Sequence, residues 1–129
     1  MAVFMKPWSA HLYAVMRIII GLLFMSHGIA KITGWPPSPL MPPEPPPAAF
    51  MYSVGSLELV LGLLVAIGLF TRWAAFLAAG QMAVAYWVAH GTKAFHPITN
   101  MGELAVLYCF VFLFISAHGA GIWSVDGET

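Results

Sequence analysis

Apolar residues run along this chain in four long, unbroken blocks, separated by short polar or proline-containing breaks. A hydrocarbon crossing takes about 20 mostly apolar residues as helix, so each block is a candidate span. The predicted spans are His11 to Thr33, Ala48 to Phe70, Trp73 to Ala89 and Met101 to His118, the third being close to the lower length limit for a crossing. Continuous runs exclude a transmembrane β-barrel, whose strands alternate apolar with polar residues and need a polar lumen face. The expectation is an all-α integral membrane protein: one domain, residues 1–129, forming a left-handed antiparallel four-helix bundle.

The breaks differ in kind. "GWPPSPLMPPEPPPAA", residues 34–49, is too proline-dense for helix and should run as extended, polyproline-like chain, either as a stiff connector or as a strip for a docking partner. "FTRW" is so tight that the second and third helices must be antiparallel neighbours. The last break, "HGTKAFHPITN", is longer and polar, with His90, Lys93, His96 and Asn100 close together. The third helix is rich in alanine, and small residues let backbones approach where lipid gives no hydrophobic drive, so it is expected to be the packing helix. Gln81 within it is expected to bond across to a neighbour.

Composition places the chain in a bilayer. It is 60% hydrophobic and only 8% charged, with a mean hydropathy of +0.85, outside the usual range of soluble domains. Arg17 interrupts the first apolar run and no A-x-A-like site follows it, which argues against a cleaved signal peptide. The single cysteine, Cys109, rules out an intrachain disulfide or a C-x-x-C relay and reads as a small buried hydrophobe. There is no phosphate loop, nucleophile triad or basic patch for nucleic acid, and four short spans leave little room for an alternating-access pore. Lys6, Arg17 and Arg72 fall on one side and Lys31 and Lys93 on the other, which favours cytoplasmic termini by a thin margin.

The informative residues are the polar ones inside the spans. At 100° per residue, Gly21, Phe24, Gly28 and Lys31 lie within about 40° of Arg17, and His27 within about 80°, so one face of the first helix is polar. "ELVLGLL" from Glu58 echoes "RIIIGLL" from Arg17, each placing a charge four residues before a glycine. Glu58 lies roughly 15 Å in and His27 roughly 10 Å from the same side, in a core about 30 Å thick. An ionisable group there costs about 2.5 to 3.5 kcal/mol unless it pairs, protonates or faces a cavity, so His27 and Glu58 are expected partners. One side thus gathers His27, Lys31, Glu58, the loop histidines and Glu103. The other gathers Arg17, Arg72, His118 and the acidic tail "SVDGET".

The succession R-x3-G-x2-F-x2-HG-x2-K from Arg17 to Lys31, E-x3-G-x5-G-x2-TR from Glu58 to Arg72, and N-x2-E from Asn100 leading to "GAGIWSVD" resembles the DoxX family over nearly the whole chain. The proline-dense first loop departs from that pattern. The resemblance implies a small four-helix protein of the bacterial inner membrane. It is similar to subunits of quinone-linked membrane oxidoreductases, including a thiosulfate:quinone oxidoreductase, or to proteins of thiol and oxidative-stress systems. It marks Arg17, His27, Lys31, Glu58, Arg72, Asn100 and Glu103 as the family-like polar set without assigning roles.

A quinone head group needs hydrogen bonds to its two carbonyls and a proton path reached through an apolar slot. In that scheme His27 donates and shuttles protons, Lys31 polarises the second carbonyl, Glu58 accepts the released proton and Glu103 stands nearby. Arg17, Arg72, Gln81 and Asn100 are structural polar residues. No haem or metal is expected: only His27 with His90 offers a haem pair, and His90, His96 and Glu103 have no metal-site spacing. Two readings stay open, a redox subunit with chemistry of its own and a non-catalytic accessory subunit packed against other membrane proteins. Membrane lipids are partners in both.

Overall fold

The computed structural model describes residues 2–39 and 41–127, and these are helical wherever they are regular. A 3-10 turn, Lys6–Trp8, leads into α1 (Ser9–Thr33), followed by α2 (Ala48–Ile67) and α3 (Thr71–Ala85). α3 runs on through a π-helical turn, Tyr86–Gly91, and a single turn, α4 (Pro97–Asn100), precedes α5 (Glu103–His118). Lys6–Thr33 and Ala48–Ile67 are long and apolar enough to cross a membrane; α5 is apolar but shorter.

Local chemistry sets the boundaries. α1 stops at Gly34, whose φ of 78° is left-handed and whose N–H closes on Ala30 O at 2.8 Å. Pro47 cannot continue a helix backwards and stands just before α2. α2 ends three residues earlier than its apolar run because Gly68 turns left-handed, at φ 73°. α5 begins at Glu103 instead of Met101 because Met101 itself adopts φ 65°.

α1 packs along α2, α3 packs along α5, and α2 also meets α3. The closest backbone approach is between α1 and α2, made by glycines. A Cβ on Gly21 would stand 2.6 Å from Ala66 N and 2.7 Å from Gly62 O, and one on Gly62 would stand 2.6 Å from Met25 N. Gly28 meets Gly55 and Leu59 in the same way one heptad on, so the two helices run antiparallel. The alanines of α3 (Ala74, Ala75, Ala78, Ala79) are buried too, against Tyr108, Phe112 and Ile115 of α5 and Leu61 and Val65 of α2. Phe24 of α1 closes this core, its ring centroid 4.9 Å from Phe112 and 5.5 Å from Tyr108.

The segment after α5 folds back over the ends of α2 and α3. Val125 N donates to Ile67 O at 3.0 Å and Asp126 N to Gly68 O at 2.8 Å, extending α2's carbonyl ladder with tail residues. The Asp126 carboxylate accepts from Phe70 N, Thr71 N and Thr71 Oγ1, at 3.0, 3.0 and 2.8 Å, and so caps α3 from a distant part of the chain. Its anionic charge also suits the positive end of that helix. Arg72 does the reciprocal service for α5, donating to Ser116 O, Ala117 O and His118 O.

Candidate functional site

Two polar groups of residues lie at opposite ends of the α1–α2 contact. At the end nearer the proline-rich connector, Lys31 Nζ bridges both oxygens of Glu58, at 2.9 and 2.7 Å. Glu58 is 2% exposed. Gln81 of α3 donates from Nε2 to Glu58 Oε1 at 3.1 Å, so three helices meet on one carboxylate. Gln81 Oε1 is buried without a hydrogen-bond partner.

His27 is not the partner of Glu58 that its depth suggested. Its imidazole packs edge-on against Tyr108, centroids 5.8 Å apart at 87°. The physical reason lies with Lys31: helical side chains lean towards the N-terminus, so the lysine stem reaches back down α1 and puts a full positive charge on the carboxylate. A neutral imidazole cannot compete with that. The half-buried His27 has no hydrogen bond to another described residue, and it lines a cleft of about 200 Å³ between α1 and the connector, with Leu23, Ser26, Ala30, Pro36 and Pro39 among its walls.

Other sequence candidates lie elsewhere. Glu103 is exposed in the first turn of α5 and does not join the cluster. Asn100 is buried and organises the α3–α5 loop, donating to Tyr86 Oη and Ala94 O, both at 3.0 Å, and accepting from Gly102 N at 2.8 Å. His90 Nδ1 lies 3.0 Å from Asn100 O, and His96 Nδ1 accepts from Ile98 N at 3.2 Å, so both are tied into loop structure. Among the described residues, no group of three His, Cys, Asp or Glu side chains converges in a way that could hold a metal ion. Tyr108 was missed by the sequence reading. Its signal was there: a tyrosine in mid-span carries a hydroxyl that wants a partner.

At the opposite end Arg17 is fully buried. It donates from Nε to Val65 O (3.1 Å), from Nη1 to Ala120 O and to Ile122 O (3.0 Å), and from Nη2 to Trp123 O (2.7 Å) and Ala66 O (3.5 Å). The guanidinium thus ties α1 to the last carbonyls of α2 and to the returning tail. The Thr71 backbone N–H, helped by its hydroxyl, by Phe70 N–H and by the nearby Arg17 charge, holds the Asp126 carboxyl below its ordinary 3.8. Glu128, counted with this acidic tail in the sequence, lies outside the described residues.

An all-helical chain with long apolar helices, a glycine-packed helix pair and charges paired in its interior belongs to the class of small helical membrane proteins. Residues 12–91 match the DoxX family model. The chain belongs to the DoxX family of membrane proteins. A Haemophilus influenzae protein described only as uncharacterized is 34% identical over 127 residues, covering 96% of this chain and 95% of that one. No solved structure matches the chain.

Proposed function

We propose that this DoxX protein is a subunit of a quinone-linked redox system, spanning the bacterial cell membrane as a four-helix bundle with both termini in the cytoplasm. The observation that carries the reading is the position of His27, a half-buried imidazole that lines the cleft and packs edge-on against Tyr108. The resemblance that links such proteins to quinones supplies the ligand class.

The residues fit a head group. A cleft of about 200 Å³ is small for a whole ligand but suits a head group whose tail stays in lipid, and its walls are mostly apolar around one imidazole. His27 would hold the ring by a hydrogen bond to a carbonyl and would carry a proton on its free nitrogen. Bound there, a quinone would supply a two-electron, two-proton couple. Lys31 and Glu58 do not line the cleft, so their part is to hold a charged, hydrogen-bonded backdrop that orients Gln81. A second reading, an accessory subunit that packs against other membrane proteins, draws on a different observation. Glu58 is already matched by Lys31 and Gln81, and Arg17 by five backbone carbonyls, so these groups can serve the fold alone.

Titration of a short-tailed quinone into nanodisc-embedded protein, read by tryptophan quenching, tests the proposal. Saturable binding that falls at least tenfold in His27→Ala and is unchanged in Glu103→Gln is the expected result. Quenching that is unsaturable and equal in all three proteins would leave only the accessory reading.

A further inference from the structure

The proline-rich connector and the α3–α5 loop leave the bundle at the same end, because α1, α2, α3 and α5 alternate in direction. The loop shows an unusual apolar surface. Phe95 is 87% exposed and Ile98 70%, although Lys93, His96 and Thr99 around them mark this as a water-facing segment. The exposure is held in place. Buried Asn100 fixes Ala94 O, the Tyr86 hydroxyl donates to Phe95 O at 3.2 Å, and the Trp87 ring lies so close over Gly91 that a Cβ there would stand 2.7 Å from it. Trp87, Phe95 and Ile98 are thus exposed apolar side chains on a backbone held by buried Asn100 and Tyr86.

The connector is the complementary object. Pro42, Pro43, Glu44 and Pro45 are exposed, Pro47 has φ −50° and ψ 144°, and among the described residues this stretch makes a turn from Met41 N to Ser38 O. Both ends are anchored by helices. A pre-extended proline segment loses little entropy on docking, and aromatic platforms are what such segments dock onto. Charge matches as well. Glu44 is the acid of the connector and Lys93 the cation of the loop, and among the described residues the ion pair present is Lys31–Glu58, which leaves both free of an intrachain salt bridge.

We infer that two copies of this chain associate side by side in the membrane, the proline connector of each lying on the Trp87, Phe95 and Ile98 side chains of the other, with Glu44 facing Lys93 across the contact. A two-fold axis makes that contact twice and closes the assembly at a dimer. The inference stands apart from the quinone reading, since Glu44, Lys93, Trp87, Phe95 and Ile98 do not line the His27 cleft, although the connector's Pro36, Pro37, Ser38 and Pro39 do.

The test is energy transfer between donor- and acceptor-labelled protein in phosphatidylcholine–phosphatidylglycerol vesicles over a range of protein-to-lipid ratios. Wild type should show transfer above the random-encounter level. Glu44→Lys and Lys93→Glu should each weaken association about three- to tenfold, and the double reversal should recover it, as expected of an exposed opposite-charge pair. Phe95→Ser should weaken it more than tenfold without altering the circular dichroism or thermal unfolding of the protein, because that ring supports nothing within its own chain. Random-level transfer in wild type, indifference to Phe95→Ser, or single reversals that the double reversal fails to rescue would each overturn the inference. So would a purified chain that stays monomeric while its connector is found on the aromatic groove of another protein in native membranes.

Discussion

Gly28→Ala adds one methyl group where two helix backbones touch. Its Cβ would collide with Gly55 O and stand 2.6 Å from Leu59 N, whereas ordinary van der Waals contact begins at 3.4 Å, so α1 and α2 must part locally by about 1 Å to clear the Gly55 carbonyl. No rotamer can relieve the clash, because the obstructing atoms are backbone. Overpacking of this kind costs about 1 to 3 kcal/mol, and parting the helices also forfeits contacts along their seam, which puts the expected loss at the upper end. Gly80→Ala is the internal control. A Cβ there meets nothing within 4 Å, and replacing a helical glycine by alanine should be neutral or stabilising by up to about 1 kcal/mol. Reversible unfolding in mixed micelles, followed by circular dichroism, reads both variants. Equal stability of Gly28→Ala and Gly80→Ala would refute the claim that glycine contacts set the α1–α2 spacing.

Other expectations follow from the same structure. Lys31→Met leaves the Glu58 carboxylate buried without its cation and should cost about 3 to 5 kcal/mol, most of it regained in Lys31→Met/Glu58→Met; the same unfolding assay checks this, and a double variant as unstable as the single would contradict it. Arg17→Met should free the tail, seen as rapid proteolysis after α5, since the carbonyls of Ala120, Ile122 and Trp123 lose their donor. Asp126 has its folded pKa held below 3.8, so its contribution is full above the ordinary value and is lost as pH falls through the lowered one. Acid-induced release of the tail, read by Trp123 fluorescence, should therefore begin below about pH 4 in wild type. In Asp126→Asn that acid transition should be absent.

The apolar blocks gave the helices, and glycine or proline at their edges explains most of the boundaries. Charge placement was also legible: Arg17, Lys31, Glu58 and Gln81 are at interhelical contacts because a polar group inside an apolar run needs a partner. Which partner it takes was not legible, since that depends on side-chain reach. Lys31 stands near the end of α1, yet its stem leans back along the helix to Glu58, and His27 is left to Tyr108 and the cleft. Glu103 is grouped with this cluster by the sequence pattern but starts α5 on an exposed face, a matter of helix rotation that spacing along the chain does not encode. The capping of α3 by Asp126 joins residues 55 positions apart, beyond any local sequence rule.

The most direct measurement of the redox proposal is the quinone content of the protein extracted from its own membrane in polymer-bounded lipid discs, compared between wild type and His27→Ala at equal folded yield. Quinone enriched over bulk lipid in wild type and reduced to the bulk ratio in His27→Ala is the expected result. The bulk ratio in both proteins would contradict a quinone site at His27.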